Sequence, residues 1–310
     1  MPYRIATLVQ ISGVLIYAAG VPRAFVDDDW TVTVIGYLVM RVTLTGQWLR
    51  AAASEAPGSP ARRTNLRYAF GLVLCQAAWV ALLAAPHSMK HWLFLILVAA
   101  ELLVPVIAEQ GHETPWHPHH IAERYGLFTL IVLGETMSAG TIAVQSALDE
   151  HDSLGELLPI AAGGILTVFA AWWIYFAAPA HERLTGNRQA IPWGYGHFVI
   201  FGSAAAIGAG VEVAVEQAVG KAHIPTTAAS AAVTVPAALF LLTVWLLHAR
   251  HFKTSTAQQL VLPASAAAIV TCTFLGAWAV LASGLVAAAT VAVGGTLAGR
   301  ADARGTDGGS

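Results

Sequence analysis

The chain has 310 residues, 56% of them hydrophobic and 11% charged, with a formal net charge of −2. A soluble domain carries about 25% charged residues, so composition argues against a water-solvated globule, and the absence of net positive charge argues against nucleic acid as a partner. A mean hydropathy of +0.63 points instead to lipid as the solvent for the apolar surface. The apolar runs are rich in Ala, Leu, Val and Gly and have the length of spanning helices; a transmembrane barrel would show alternating segments of roughly ten residues. The expected fold is therefore all-α, a polytopic transmembrane helical bundle.

In chain order the expected spans are 4–21, 30–49, 66–85, 91–109, 121–147, 157–180, 193–217, 227–249, 258–279 and 282–299, about ten in all. Together they make one transmembrane helical domain over 1–299. The first run has a second reading as a signal peptide, with Arg4 at its charged end and Ala18-Ala19-Gly20 as a cleavage site, although it is long for that role. The loop 50–65, with Pro57, Gly58, Ser59, Pro60, Arg62 and Arg63, reads as a cytoplasmic linker and topology determinant whose cations can also touch anionic headgroups. The apolar stretch Gln258–Gly299 is 42 residues long, against about 20 for one span, so a tight break near Ser283-Gly284 is expected to make a hairpin. The Gly- and Asp-rich tail, 300–310, is expected to be disordered. Cys75 and Cys272 both lie inside apolar runs and read as small core residues; no zinc-type cysteine spacing occurs.

Charge placement tests the span count. With the N-terminus in the cytoplasm, twelve Lys and Arg residues fall inside: Arg4; Arg50, Arg62, Arg63 and Arg67; Arg124; Arg183 and Arg188; Arg250 and Lys253; Arg300 and Arg304. Arg23, Lys90 and Lys221 fall outside, together with acidic residues such as Asp152 that carry no weight in topology. The split follows the positive-inside rule and predicts that both termini are cytoplasmic.

Four ionisable residues lie well inside the spans: Arg41, Glu101, Glu135 and Glu212. Each costs about 2.5–3.5 kcal/mol at the centre of a span on insertion scales, and such residues usually face a bundle interior or a cavity. Arg41 is expected to bond Glu101 or Glu135. One Arg cannot neutralise three carboxylates, so a polar path for a proton, cation or small solute competes with a purely structural ion pair. Glu135 is the expected centre. It lies roughly 21 Å along the fifth span from Ile121, too deep to snorkel. Gly134 and Ser138 beside it are expected to admit a neighbouring helix.

The fifth span is the most informative. His120-x-x-Glu123-Arg124-x-Gly126-Leu127-Phe128, followed by Ile131-x-x-Gly134-Glu135, resembles the signature of the bacterial low temperature requirement A (LtrA) family. The resemblance covers most of the chain and implies a multi-pass protein of the bacterial inner membrane, without an established molecular activity. It also implies an acidic-aromatic opening segment, Glu-Leu-Phe-Phe-Asp-Leu-Val-Phe, and further spans ahead of the first. The sequence does not show them, so a shortened paralogue or a mis-called start is expected.

Histidines crowd the approach to this span. His112, His117, His119 and His120, with Glu123, are weak metal candidates, because their spacing matches no strong motif; a solvated loop or a pH-sensitive one are the other readings. His120 to Glu135 and His197 to Glu212 are both 15 residues apart, a weak internal repeat or a coincidence. There is no P-loop, dinucleotide-binding glycine motif, HExxH or G-x-S-x-G elbow. The leading expectation is transport or ion handling along a polar path lined by Arg41, Glu101, Glu135, Glu212 and Arg124. The alternatives are a membrane-embedded enzyme acting on a lipid or other hydrophobic substrate, and a scaffold or sensor without turnover. Expected partners are membrane lipids, a small solute or cation, and a second copy of the chain. The sequence names no cofactor.

Overall fold

The computed structural model describes residues 2–150, 154–253 and 255–307. Within them the chain forms ten α-helices and no strand: α1 (Pro2–Val26), α2 (Thr31–Ser54), α3 (Pro60–Leu82), α4 (His87–Ala108), α5 (Pro118–Glu150), α6 (Leu154–Phe176), α7 (Asn187–Ala218), α8 (Thr226–Leu247), α9 (Thr256–Cys272) and α10 (Ala279–Asp307). Asp152 and the last three residues of the tail, 308–310, lie outside the described residues.

Eight of the helices are long and apolar enough to cross a membrane. The other two are instructive. α2 carries Arg41, Gln47 and four threonines, which dilute its hydropathy. α9 has 17 residues, about 26 Å at 1.5 Å per residue, slightly short of a hydrocarbon core of about 30 Å. α5 and α7 have 33 and 32 residues, so each outruns the core by about 20 Å and must tilt or project. Large exposed apolar side chains such as Phe70, Trp92, Ile131 and Phe169 stud the helices, as expected where lipid is the solvent.

The chain divides into two compact units, residues 1–115 and 116–310. In unit 1, α1 to α4 pack in sequence, each on the next. α1 and α2 approach through glycines: a Cβ on Gly36 would strike the backbone of Tyr17, and one on Gly20 the backbone of Thr33. Small residues allow such crossings where no hydrophobic force drives helices together in lipid. Cys75, Trp79, Leu82 and Val104 form the unit's core. The linker before α3 is shorter than the 50–65 expected, because Ser59 caps the helix by accepting from the Arg62 amide at 3.2 Å and Pro60 occupies its first turn.

In unit 2, α7 and α8 are the centre. Ile200, Ala204, Ile207, Phe240, Leu241 and Val244 are fully or nearly fully buried there, with α5, α6, α9 and α10 around them. The long apolar stretch breaks earlier than the expected Ser283-Gly284. α9 starts on a capping box made by Ser255 and Gln258. The reversal after it falls at residues 273–278, where Gly276 takes a positive φ of 59°, a conformation that costs glycine little. Ser283 and Gly284 lie within α10 instead: the Ser283 hydroxyl bonds the Val280 carbonyl, and Gly284 sits against the backbone of Gly163 on α6. Small residues there serve a close helix crossing rather than a turn. Cys75 and Cys272 are buried and free.

Candidate functional site

Two buried polar clusters stand out, one in each unit. In unit 1, Arg41 Nη2 meets Glu101 Oε2 at 3.0 Å and donates to the Tyr37 hydroxyl at 2.5 Å, with the guanidinium 4.8 Å from that ring's centroid. The other carboxylate oxygen, Glu101 Oε1, accepts from Gln76 Nε2 at 3.2 Å and Trp79 Nε1 at 3.3 Å. Glu101 is one of the two partners expected for Arg41. Charge, hydrogen bonds and an aromatic face together compensate most of this pair, with Arg41 Nε and Gln76 Oε1 left without a partner among the described residues; such compensation is what makes a buried ion pair tolerable.

The second cluster lies at one end of unit 2, where the first turns of α5 and α7, the last turns of α6 and α8, and a 3-10 turn at Ala180–Arg183 meet. His197 on α7 is wholly buried. Its Nδ1 lies 2.8 Å from the Trp193 carbonyl and its Nε2 3.0 Å from the Tyr175 hydroxyl. A carbonyl only accepts, so Nδ1 carries the proton; Nε2 of the neutral ring then accepts from Tyr175. Tyr125 stands edge-on to His197 with ring centroids 4.7 Å apart. Its hydroxyl lies over Gly194, where a Cβ would come within 2.9 Å of it.

His248, at the end of α8, is 2% exposed. It stacks on Trp193 at 5.7 Å and lies 4.9 Å from the Tyr175 ring and 5.4 Å from His197. Neither of its ring nitrogens makes a hydrogen bond of ordinary geometry among the described residues, and nor does Trp193 Nε1, although the Tyr175 backbone acts on the His248 ring. Unmet nitrogens at this depth are costly. Tyr175, Trp193 and His248 are among the residues that line a pocket of about 300 Å³, with His119, Glu123 and His181 in its polar lining. The rings of His119 and His181 meet edge-on at 5.2 Å. Gly126 also lines the pocket, and a Cβ there would press on Phe176 at 3.1 Å.

The pattern of the bacterial low temperature requirement A protein family matches residues 1–295. The chain belongs to this family. It is a multi-pass membrane protein. No curated protein matches the chain, and neither does any solved structure.

Of the motif that first suggested this family, Glu123 and Gly126 line the pocket. His120 turns to Glu123, 3.7 Å away, and both partners are exposed. Arg124 is exposed as well. Glu135 and Glu212, both in unit 2, are exposed and make no ion pair or side-chain hydrogen bond among the described residues. Gly134 does not make the close crossing expected of it, since a Cβ there would meet nothing within 4 Å; the glycine that lets α5 and α7 approach is Gly208, seated on the backbone of Thr136. The histidine crowd is divided: His112 belongs to unit 1, where its carbonyl accepts from Thr64 at 3.2 Å, and His117, His119 and His120 belong to unit 2. Among the described residues no group of three or more His, Cys, Asp or Glu is arranged to hold a metal ion. His120 is exposed and His197 buried, so the two members of the 15-residue spacing occupy unlike environments, as a coincidence would have it. Tyr125, Tyr175, Trp193 and His248 escaped notice in the sequence. The available signal was the one that singled out the four charged residues, an ionisable group inside or at the edge of an apolar run, and it applies equally to His197 and His248.

Proposed function

We propose that the protein moves a proton or a small polar solute across the membrane through unit 2, with His197, Tyr175 and His248 as the point where the cargo is held at one end of the route. The observation that carries this reading is that His248, whose buried ring nitrogens make no hydrogen bond of ordinary geometry among the described residues, is one of the residues lining a pocket. A neutral imidazole accepts a proton at one nitrogen while its neighbour donates, so two histidines and a tyrosine within ring contact can pass a proton along. Glu123 and the histidines at the pocket supply an acid–base entrance. Glu135 and Glu212, on α5 and α7, mark the further course of the path, while Arg41 and Glu101 hold unit 1 together. The membrane is the bacterial cytoplasmic one with both termini inside, on the charge distribution. Reporter fusions after residues 60 and 185 then read cytoplasmic and one after residue 152 external; an external signal at 60 overturns this map.

The test of the function is flux. Purified protein in proteoliposomes with an internal pH dye should dissipate an imposed proton gradient or couple it to a solute, and His248→Gln and Tyr175→Phe should remove most of that flux. Undiminished flux in both variants defeats the reading. A second reading, an enzyme acting on a hydrophobic substrate, is favoured by an apolar groove of about 400 Å³ lined by α5, α6 and α7 residues such as Met137, Val144, Ile165 and Val211. Turnover of lipid without any flux would select it.

A further inference from the structure

Away from the histidine cluster, unit 2 has a groove of about 290 Å³ bounded by α6, α9, α10 and the turn that joins α8 to α9. Its walls are Trp173, Leu262, Phe252 and the small residues Gly294, Gly295 and Ala298, and one cation, Lys253, lines it. Both glycines leave space: a Cβ on either would meet nothing within 4 Å. Lys253 is half-buried, and its ammonium makes no ion pair or hydrogen bond among the described residues. The sequence explains why. Between Glu216 and Asp302 there is no acidic residue at all, so the basic turn Arg250-His251-Phe252-Lys253 has no acid of its own stretch to pair with. The turn is also held in place. Gln259 Nε2 donates to the Arg250 carbonyl at 2.6 Å and to the Lys253 carbonyl at 2.7 Å, which fixes the backbone that carries the cation beside the groove. Burial without a partner pushes the Lys253 amine below its ordinary pKa.

We propose that this groove is a binding site for one anionic phospholipid of the surrounding bilayer, with an acyl chain along the small-residue wall of α10 and the phosphate on Lys253. The charge asymmetry favours an anion over any other occupant, and the apolar wall favours a tail over a free ion. A lipid phosphate supplies the counter-charge that the fold withholds, and the chain fills space that water would occupy at a cost. Basic pockets between transmembrane helices are a known physical means of holding lipid headgroups.

The test uses the full-length protein purified in detergent and stripped of lipid. Binding of phosphatidylglycerol and of phosphatidylcholine is followed by native mass spectrometry and by the shift in melting temperature. Phosphatidylglycerol should bind more tightly and raise the melting temperature further. Lys253→Gln should weaken phosphatidylglycerol by about fivefold, the equivalent of roughly 1 kcal/mol for one interfacial charge, and leave phosphatidylcholine unchanged. Lys253→Arg should restore most of the preference. Gly295→Leu, whose Cβ would meet nothing within 4 Å, should block the chain and weaken both lipids while Lys253 stays in place; it keeps the test alive if the glutamine variant does not fold. Inorganic phosphate and glycerol phosphate should produce no shift. Equal binding of the two lipids, a phosphatidylglycerol preference that survives Lys253→Gln, or a full shift with glycerol phosphate alone each overturns the proposal.

Discussion

In unit 1 the half-buried cation, Arg41, faces Glu101, and the second oxygen of that carboxylate takes two further donors, Gln76 and Trp79. In unit 2 the buried polar rings are a neutral histidine hydrogen-bonded on both nitrogens, His197, and a second, His248, whose nitrogens have no partner of ordinary geometry among the described residues. Both clusters would look alike in a hydropathy plot, as ionisable groups within apolar helices. They differ in what is left over. The first matches its charge with a charge and leaves only Arg41 Nε and Gln76 Oε1 without a partner among the described residues, which is how a fold stabilises a charge in lipid. The second keeps unmet ring nitrogens in residues that also line a pocket, an arrangement found where a site takes a ligand or proton.

The largest expected effect follows from the first cluster. Glu101→Gln leaves the Arg41 guanidinium uncompensated, and removing one partner of a buried pair costs about 3–5 kcal/mol. The melting temperature in detergent should fall steeply, and Arg41→Met with Glu101→Leu should recover much of the loss. A Glu101→Gln protein as stable as the parent would show that the pair is not structural and would erase the contrast between the units. Tyr175→Phe in unit 2 is milder. It removes one neutral hydrogen bond, worth about 1 kcal/mol, and leaves Nε2 of His197 without its donor. A drop as large as that of Glu101→Gln would mean that the histidine cluster, too, is scaffolding. Smaller again is Glu135→Gln. The side chain is exposed and unpaired among the described residues, so insertion and melting temperature should hardly change, while flux or growth in the cold should be lost if the path passes it. Full activity together with full stability in this variant removes Glu135 from the path.

The smallest effect concerns the rim of unit 1. Asp28, in the connection between α1 and α2, accepts from Trp30 Nε1 at 2.9 Å, His87 Nδ1 at 2.5 Å and Lys90 Nζ at 3.2 Å. These bonds, the one from Trp30 foremost, hold its carboxyl well below the ordinary 3.8. A folded-state pKa below the unfolded one contributes stability that is present above about pH 4 and fades as the pH falls further. The contribution of Asp28 should thus be flat from pH 7 to pH 5 and decline in more acid solution. Asp28→Asn should remove that share of the acid limb in a pH series of melting temperatures. A loss between pH 7 and pH 5 that depends on Asp28 contradicts the assignment.

Much of this architecture is legible in the sequence because the bilayer imposes it. Span-length apolar runs can only be helices when every backbone group must be satisfied internally, and the family motif in α5 was readable without coordinates. That Arg41 needs an acidic partner follows from cost alone, but the choice of Glu101 over Glu135 needs the packing of α2 to α4. The end of α9 could not be placed, because Ser283-Gly284 and Gly276 look equally suited to a turn, and only packing against Gly163 shows that the former is used for a crossing. The histidine cluster stayed hidden for a different reason. Tyr125, Tyr175, His197 and His248 come from four helices, α5 to α8, and no spacing within one segment encodes a meeting of four. The crowded histidines before α5 drew notice because they are adjacent in sequence, yet the buried histidines that matter most to the pocket are remote from them and from each other.

The most direct test of the contrast sets proton flux per folded molecule beside the melting temperature for two variants, Glu101→Gln and His248→Gln, reconstituted in the same proteoliposomes. A crossed result is expected: Glu101→Gln melts early but conducts normally for each molecule that remains folded, whereas His248→Gln melts with the parent protein and conducts little. A His248→Gln protein that loses stability and keeps its flux, with a Glu101→Gln protein that does the reverse, would contradict it.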